Sequence, residues 1–173
     1  MELSKQACMI LTLAIAVYMD FKYYKVDNKL IIIGISIGSL HNLAQQSLYG
    51  LLCSIIWGMI PIGLLFFLYI SSVLGAGDIK LFAVIGVFMR TSFCFRAIIL
   101  AFVIGAVISL AKMVRYGIVV SRLQYFTDYV LEVIHTKKLT PYYNVEEKNR
   151  EYVIHFSLPI GLSVVILCIL SYV

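Results

Sequence analysis

The sequence predicts an all-α, polytopic membrane protein with about six transmembrane helices, forming one domain over residues 1–173. Three observations predict it. The chain is 62% hydrophobic, with a mean hydropathy of +0.97. Only 13% of its residues are charged, about half the share of a soluble domain. Its apolar residues come in long continuous runs without period-two alternation, which favours spanning helices over a closed β-barrel.

The first uncharged stretch runs from Gln6 to Met19. It is short for a bilayer, so a first spanning helix must also use Leu3 to Lys5, with Lys5 snorkelling to the interface. Ala14-Ile15-Ala16 resembles a signal-peptide cleavage site. Against cleavage, the lead holds a single lysine balanced by Glu2, and cutting there would send Lys22, Lys25 and Lys29 outside. An uncleaved helix is the expectation.

From Leu30 to Gly77 there are 48 residues without a formal charge, about 72 Å of helix or roughly two bilayer cores. The polar residues His41, Asn42, Gln45, Gln46 and Ser47 divide the run. A second helix is predicted over 29–44 and a third over 49–74, with Gly58, Pro61 and Gly63 as points of bending. Gly34 and Gly38 form a small-residue packing face on the second.

The fourth segment has only Leu81 to Met89 uncharged between Lys80 and Arg90. It spans only if Asp78 and Lys80 lie within its first turn and Arg90 snorkels. A fifth helix is predicted over 95–114 and a sixth over 152–173. Between them, 115–151 is the one hydrophilic section. Val119, Leu123, Phe126, Val130 and Ile134 make a helical stripe there, expected as an interfacial amphipathic helix against lipid or protein. Pro141 and residues 144–150 read as a loop.

The formal charge of +5 reflects topology rather than nucleic-acid binding. With the N-terminus outside, eleven of the fourteen Lys and Arg residues fall on the cytoplasmic side and only Lys5, Arg90 and Arg96 outside, as the positive-inside rule requires. The cysteines Cys8, Cys53, Cys94 and Cys168 lack metal or disulfide spacing and read as small buried hydrophobes. The histidines His41, His135 and His155 share no metal-ligand spacing either. His155 either lines a site or is a hydrogen-bonded residue at a helix end. Ser36, Ser71, Ser72 and Ser163 have no paired base, so a serine mechanism is not expected.

Two acids stand at the ends of apolar segments, Asp20 and Asp78. The loops that carry them are separated by two helices and therefore face one side, the cytoplasmic one. A carboxylate at a membrane edge is expensive to desolvate and so is a functional candidate. Two carboxylates a few Å apart cannot both ionise. One then serves as general base on a water while the protonated one polarises a carbonyl, which is aspartic-protease chemistry and needs neither metal nor cofactor. Gly75 and Gly77 permit an unusual backbone beside Asp78 and a close approach by an extended peptide.

Gly75-Ala76-Gly77-Asp78-Ile79-Lys80 resembles the GxGDxK motif of the type IV prepilin peptidases, intramembrane aspartic proteases of the GxGD class. Asp20, followed by Lys22 and Lys25 and, eight positions on, by Asn28, resembles that family's first acidic loop. Ile154-His155-Phe156-Ser157-Leu158-Pro159-Ile160-Gly161 resembles the start of its last helix. The resemblance implies that Asp20 and Asp78 are the catalytic pair and that Gly75 and Gly77 shape the substrate approach. Two roles are open to Lys80, tuning Asp78 or snorkelling to the interface. Asn28 is expected to cap the second helix and hold the Asp20 loop. Asp27 stands where the family usually has proline and reads as a solvated loop acid. The cytosolic insertion with paired CxxC motifs that accompanies N-methylation is not in this sequence, so the expectation is the peptidase core alone.

The implied function is a multi-pass cell-membrane endopeptidase cleaving the basic leader of prepilin-like precursors (type IV pilin, Flp pilin or archaellin-like) at the cytoplasmic face. Its implied partners are that precursor and membrane lipids, with no nucleic acid. A proton-coupled transporter would also use intramembrane acids, but no inverted repeat is evident and both acids sit at one edge. A non-enzymatic assembly factor would make the two acids structural. A presenilin-like protease shares GxGD but needs more helices.

Overall fold

In a computed structural model, the described residues are 2–71, 73–117, 124, 127 and 155–171. They form five helices and no strand: α1 (Glu2–Tyr23), α2 (Asn28–Ile70), α3 (Ala76–Phe88), α4 (Thr91–Arg115) and α5 (Ser157–Leu170). The chain divides into two compact units, 1–104 with 155–173, and 105–154. In the second, the last turns of α4 are followed by Tyr116 and Gly117, and Gln124 and Thr127 are helical and exposed. The remainder of the expected amphipathic helix, and the loop after it, lie outside the described residues.

The polar break foreseen after His41 is a sharp turn within α2. Gln46 and Ser47 leave helical geometry, Ser47 at φ 55° and ψ −152°. The chain doubles back there. Cβ atoms added at Gly38 and at Gly58 would both press on Val87, at 2.9 Å and 2.6 Å, although twenty helical residues would separate them by about 30 Å on a straight rod. The two halves of α2 thus clasp α3 from two sides.

α3 is the centre of the first unit. Every residue from Leu81 to Met89 is buried, and Phe82 and Phe88 are fully so. A helix apolar all round is one enclosed by protein on every side. Lipid tails supply no hydrophobic force between helices, so close backbone approach and dispersion must hold such a bundle. The small residues provide that approach. Gly34 lies on Thr12 and Val84, and Gly38 on Val87 and Phe88, which is the packing face read from the sequence. A Cβ at Gly86 would collide with the Trp57 carbonyl oxygen. From α4, Cys94, Ala97, Ile98 and Ala101 join the core, and the Cys94 thiol reaches the Phe82 carbonyl at 3.6 Å.

Three helices among the described residues, α1, α2 and α4, are long and apolar enough to cross a membrane. α3 and α5, at 13 and 14 residues, reach about 20 Å, less than a hydrocarbon core of about 30 Å. The ends of the predicted sixth helix, 152–154 and 172–173, lie outside the described residues. α3 needs no span of its own, because protein and not lipid surrounds it.

Lys5 does not snorkel. It is buried, and its Nζ donates to Asn42 Oδ1 at 2.8 Å, while Asn42 Nδ2 donates to the Val87 carbonyl at 2.8 Å. One polar chain so links α1, the first half of α2 and the C-terminal end of α3. A lysine placed one turn into α1 is held by a partner that the sequence places a whole helix away.

Candidate active site

Asp20 lies in the last turn of α1 and Asp78 in the first turn of α3. Both helices present these termini at the end of the unit opposite the Lys5–Asn42 bond. The two carboxylates are half-buried and near enough for the charge of Asp20 to act on Asp78.

Their settings differ. Asp78 occupies the N-terminal turn, where orphan N–H groups and the helix dipole favour an anion. One of its oxygens, Oδ2, accepts the Gly75 N–H at 3.3 Å. Asp20 is near a helix C-terminus, where the dipole disfavours a carboxylate. Ser157, the first residue of α5, and His155, two residues before it, offset this. Ser157 Oγ donates to Asp20 Oδ2 at 2.5 Å, and His155 Nδ1 lies 3.3 Å from the same oxygen. The His155 ring stacks on Phe21 with centroids 4.6 Å apart and leans on Tyr24 at 5.0 Å.

The segment after Asp20 is tightly shaped. α1 stops at Tyr23, and Tyr24 takes a left-handed conformation, φ 54°, with its N–H on the Asp20 carbonyl at 2.9 Å. That is an αL helix stop made by a residue other than glycine. Val26 is buried, and a Cβ at Gly77 would rest 3.9 Å from it. Asp27, not Asn28, caps α2: its Oδ1 accepts the Lys29 N–H at 3.0 Å. Asn28 is instead the acceptor for Lys80, Nζ to Oδ1 at 2.7 Å.

The structure thus brings Asp20, Asp78, Gly75, Gly77, Asn28 and Lys80 to one end of the bundle. It corrects two expectations about them and adds a partner for Lys80, whose Nζ hydrogen-bonds Asn28 and so ties α3 to α2. Asn28 begins α2 without capping it. Gly75 and Gly77 adopt no left-handed backbone, since Gly75 is extended at φ −73° and Gly77 is helical. What Gly75 provides is room: a Cβ there would stand 3.1 Å from Asp78 Oδ2.

Ser157 was not foreseen as part of the site. The only sequence signal for it was a serine two residues after His155, at the head of an apolar helix. His155 lines the site, its Nδ1 standing 3.3 Å from Asp20 Oδ2. His41 pairs with Gln45 at 2.6 Å, while His135 lies outside the described residues. Among the described residues, no three or more His, Cys, Asp and Glu side chains gather as a metal ion would require.

The family model described as the type IV leader peptidase family matches residues 7–110. The match contains Asp20, Asn28 and the whole of Gly75 to Lys80, but neither His155 nor Ser157. No curated protein and no solved structure matches the chain significantly.

Proposed function

The chain belongs to the type IV leader peptidase family, and from that premise we propose that it is a membrane-embedded aspartic endopeptidase with Asp20 and Asp78 as its catalytic pair. The observation that carries the reading is that these two acids, on different helices, lie at the same end of the bundle, with Asp20 near enough for its charge to act on Asp78. An isolated acid at a helix end would serve as a cap. A pair at one site can divide the work of acid and base.

In this reading one carboxylate takes a proton from a water, whose oxygen attacks the scissile carbonyl. The protonated partner donates a hydrogen bond to that carbonyl oxygen as negative charge develops on it. When the carbon–nitrogen bond breaks, the nitrogen takes the proton that the carboxylate drew from the water and leaves as an amine. The substrate is the precursor of a prepilin-like protein, whose short basic leader ends at a glycine and is followed by an apolar helix. That helix lies in the bilayer while the scissile bond reaches the acids. Lys22, Lys25 and Lys29 beside Asp20 support a cytoplasmic position for the site.

The test is co-expression with a prepilin-like precursor encoded in the same genome, following the mass of the precursor. Loss of the leader with the wild-type enzyme, and its retention with Asp20→Asn, is the expected result. A precursor processed equally by Asp20→Asn at equal enzyme abundance overturns the reading. Impermeant labelling of a single cysteine placed at Asn144 tests the orientation: modification from outside in intact cells would put the acids on the wrong face.

A further inference from the structure

We propose that Ser157 and His155 are positioning residues for Asp20, holding one carboxylate oxygen so that the other is presented to the water. The inference rests on the aspartic-protease reading and adds to it residues from a helix beyond the matched region.

Three observations carry it. First, both side chains converge on the same atom. Ser157 Oγ and His155 Nδ1 meet Asp20 Oδ2, and among the described residues none is directed to Oδ1. A carboxylate held by one oxygen keeps its plane and leaves the second oxygen for chemistry. Asp78 is held in the same manner, its Oδ2 on the Gly75 N–H, so each acid has one anchored oxygen.

Second, the Ser157 hydroxyl is spent on Asp20 against its local preference. Serine at a helix start ordinarily turns its oxygen to nearby backbone N–H groups. Here Ser157 is 1% exposed and donates across to α1 at a length typical of a hydroxyl on a charged carboxylate. The first turn of α5 is satisfied by backbone instead, Leu158 N–H on the His155 carbonyl and Ile160 N–H on that of Phe156.

Third, the His155 ring is fixed by the same segment that bears Asp20. Phe21 stacks on it at 29° and Tyr24 at 47°. Phe21 and Tyr24 are both about half exposed, so burial alone does not account for their placement. The left-handed backbone at Tyr24, disfavoured for any residue with a Cβ, brings that ring to the imidazole. Docking of α5 on α1 has its own contacts, among them Gly161 on Val17, and does not need the polar pair.

The experiment measures kcat and KM of purified enzyme on a prepilin-like precursor for Ser157→Ala, Ser157→Thr, His155→Phe and His155→Asn, with the melting temperature of each. Misplacing a catalytic group costs up to about 100-fold, so Ser157→Ala is expected to lower kcat about 10- to 100-fold with KM within about twofold. Ser157→Thr keeps the hydroxyl and restores most of it. His155→Phe keeps the stack and loses the donor, lowering kcat less. His155→Asn, with an amide near the Nδ1 position, recovers part of that. Wild-type kcat in Ser157→Ala, or a loss that Ser157→Thr does not recover, overturns the inference. If Ser157→Ala does not fold, His155→Phe decides: an unchanged kcat overturns it. Failure of the underlying reading looks different, because Asp20→Asn would then still cleave.

Discussion

Lys80 donates from Nζ to Oδ1 of Asn28 at 2.7 Å, joining the N-terminal turn of α3 to the N-terminus of α2. Asn28 closes the segment that begins at Asp20, and Lys80 follows Asp78 by two residues. The bond therefore couples the two stretches that carry the acids. It is also at the surface, where water competes for both groups.

Lys80→Ala and Asn28→Ala are accordingly expected to have the same modest effect, about 1 kcal/mol or about fivefold in processing rate. Residues joined by one contact are not additive, so the double variant should match the worse single one. Rates measured for all four enzymes at equal abundance check this. A double variant at the product of the two single losses would show that Lys80 acts on the site by another route.

The glycines separate packing from chemistry. Gly86→Ala drives a methyl into the Trp57 carbonyl and is expected to cost about 1–3 kcal/mol, as overpacking does, with lower yield and melting temperature. Gly63 has nothing within 4 Å of an added Cβ. Gly63→Ala should be neutral or gain about 0.5–1 kcal/mol, since alanine is the better helix former. Gly77→Ala meets Val26 only at ordinary contact distance, so the enzyme should fold normally. A fall in kcat/KM with unchanged melting temperature is the outcome expected if substrate backbone passes over Gly77; equal loss of both would place its role in folding.

Much of this architecture was legible because it is local. The apolar runs specified the helices, the polar cluster near Gln46 marked the turn, and Asp78 stands in a first turn as its spacing required. Gly34 and Gly38 face a neighbouring helix as small residues do. What the sequence hid is long-range. Nothing near Lys5 announces Asn42, and nothing near Asp20 announces Ser157, because each partner arrives on another helix. The short fourth segment was awkward only on the assumption that lipid surrounds it. Enclosed by α2 and by residues of α4, it needs neither the length nor the one-sided pattern of a lipid-facing helix. At Asp27 and Asn28 two neighbouring residues compete for one cap, and the pattern alone assigned it to the wrong one.

Asp27→Asn should leave processing and stability nearly unchanged. Asparagine caps about as well as aspartate, and Asp27 is exposed, with its side chain accepting the Lys29 N–H. Asp27→Pro fits the observed φ of −70° but removes that cap, at a cost of about 1 kcal/mol. Melting of the purified variants resolves the difference. Inactivity of Asp27→Asn comparable to that of an Asp20 variant would mean that the acid pair has been misassigned.

The decisive prediction concerns the pair itself. Asn is nearly isosteric with Asp, so Asp20→Asn and Asp78→Asn should insert and accumulate normally. At position 20 the Ser157 hydroxyl can still donate to an amide oxygen, and at position 78 the Gly75 N–H can do the same, so the local hydrogen bonds survive. The amide neither accepts a proton from water nor returns one. Each single variant should lose about 10²–10⁴-fold in cleavage, and since the proposed mechanism makes the two acids one unit the double variant should be no worse than either. A purely structural role gives the opposite pattern, loss of protein with the specific activity of the remainder intact. A transporter gives a third, with no cleaved precursor even in the wild type. Precursor processing quantified beside enzyme abundance distinguishes all three, and normal turnover by either single variant would end the aspartic assignment.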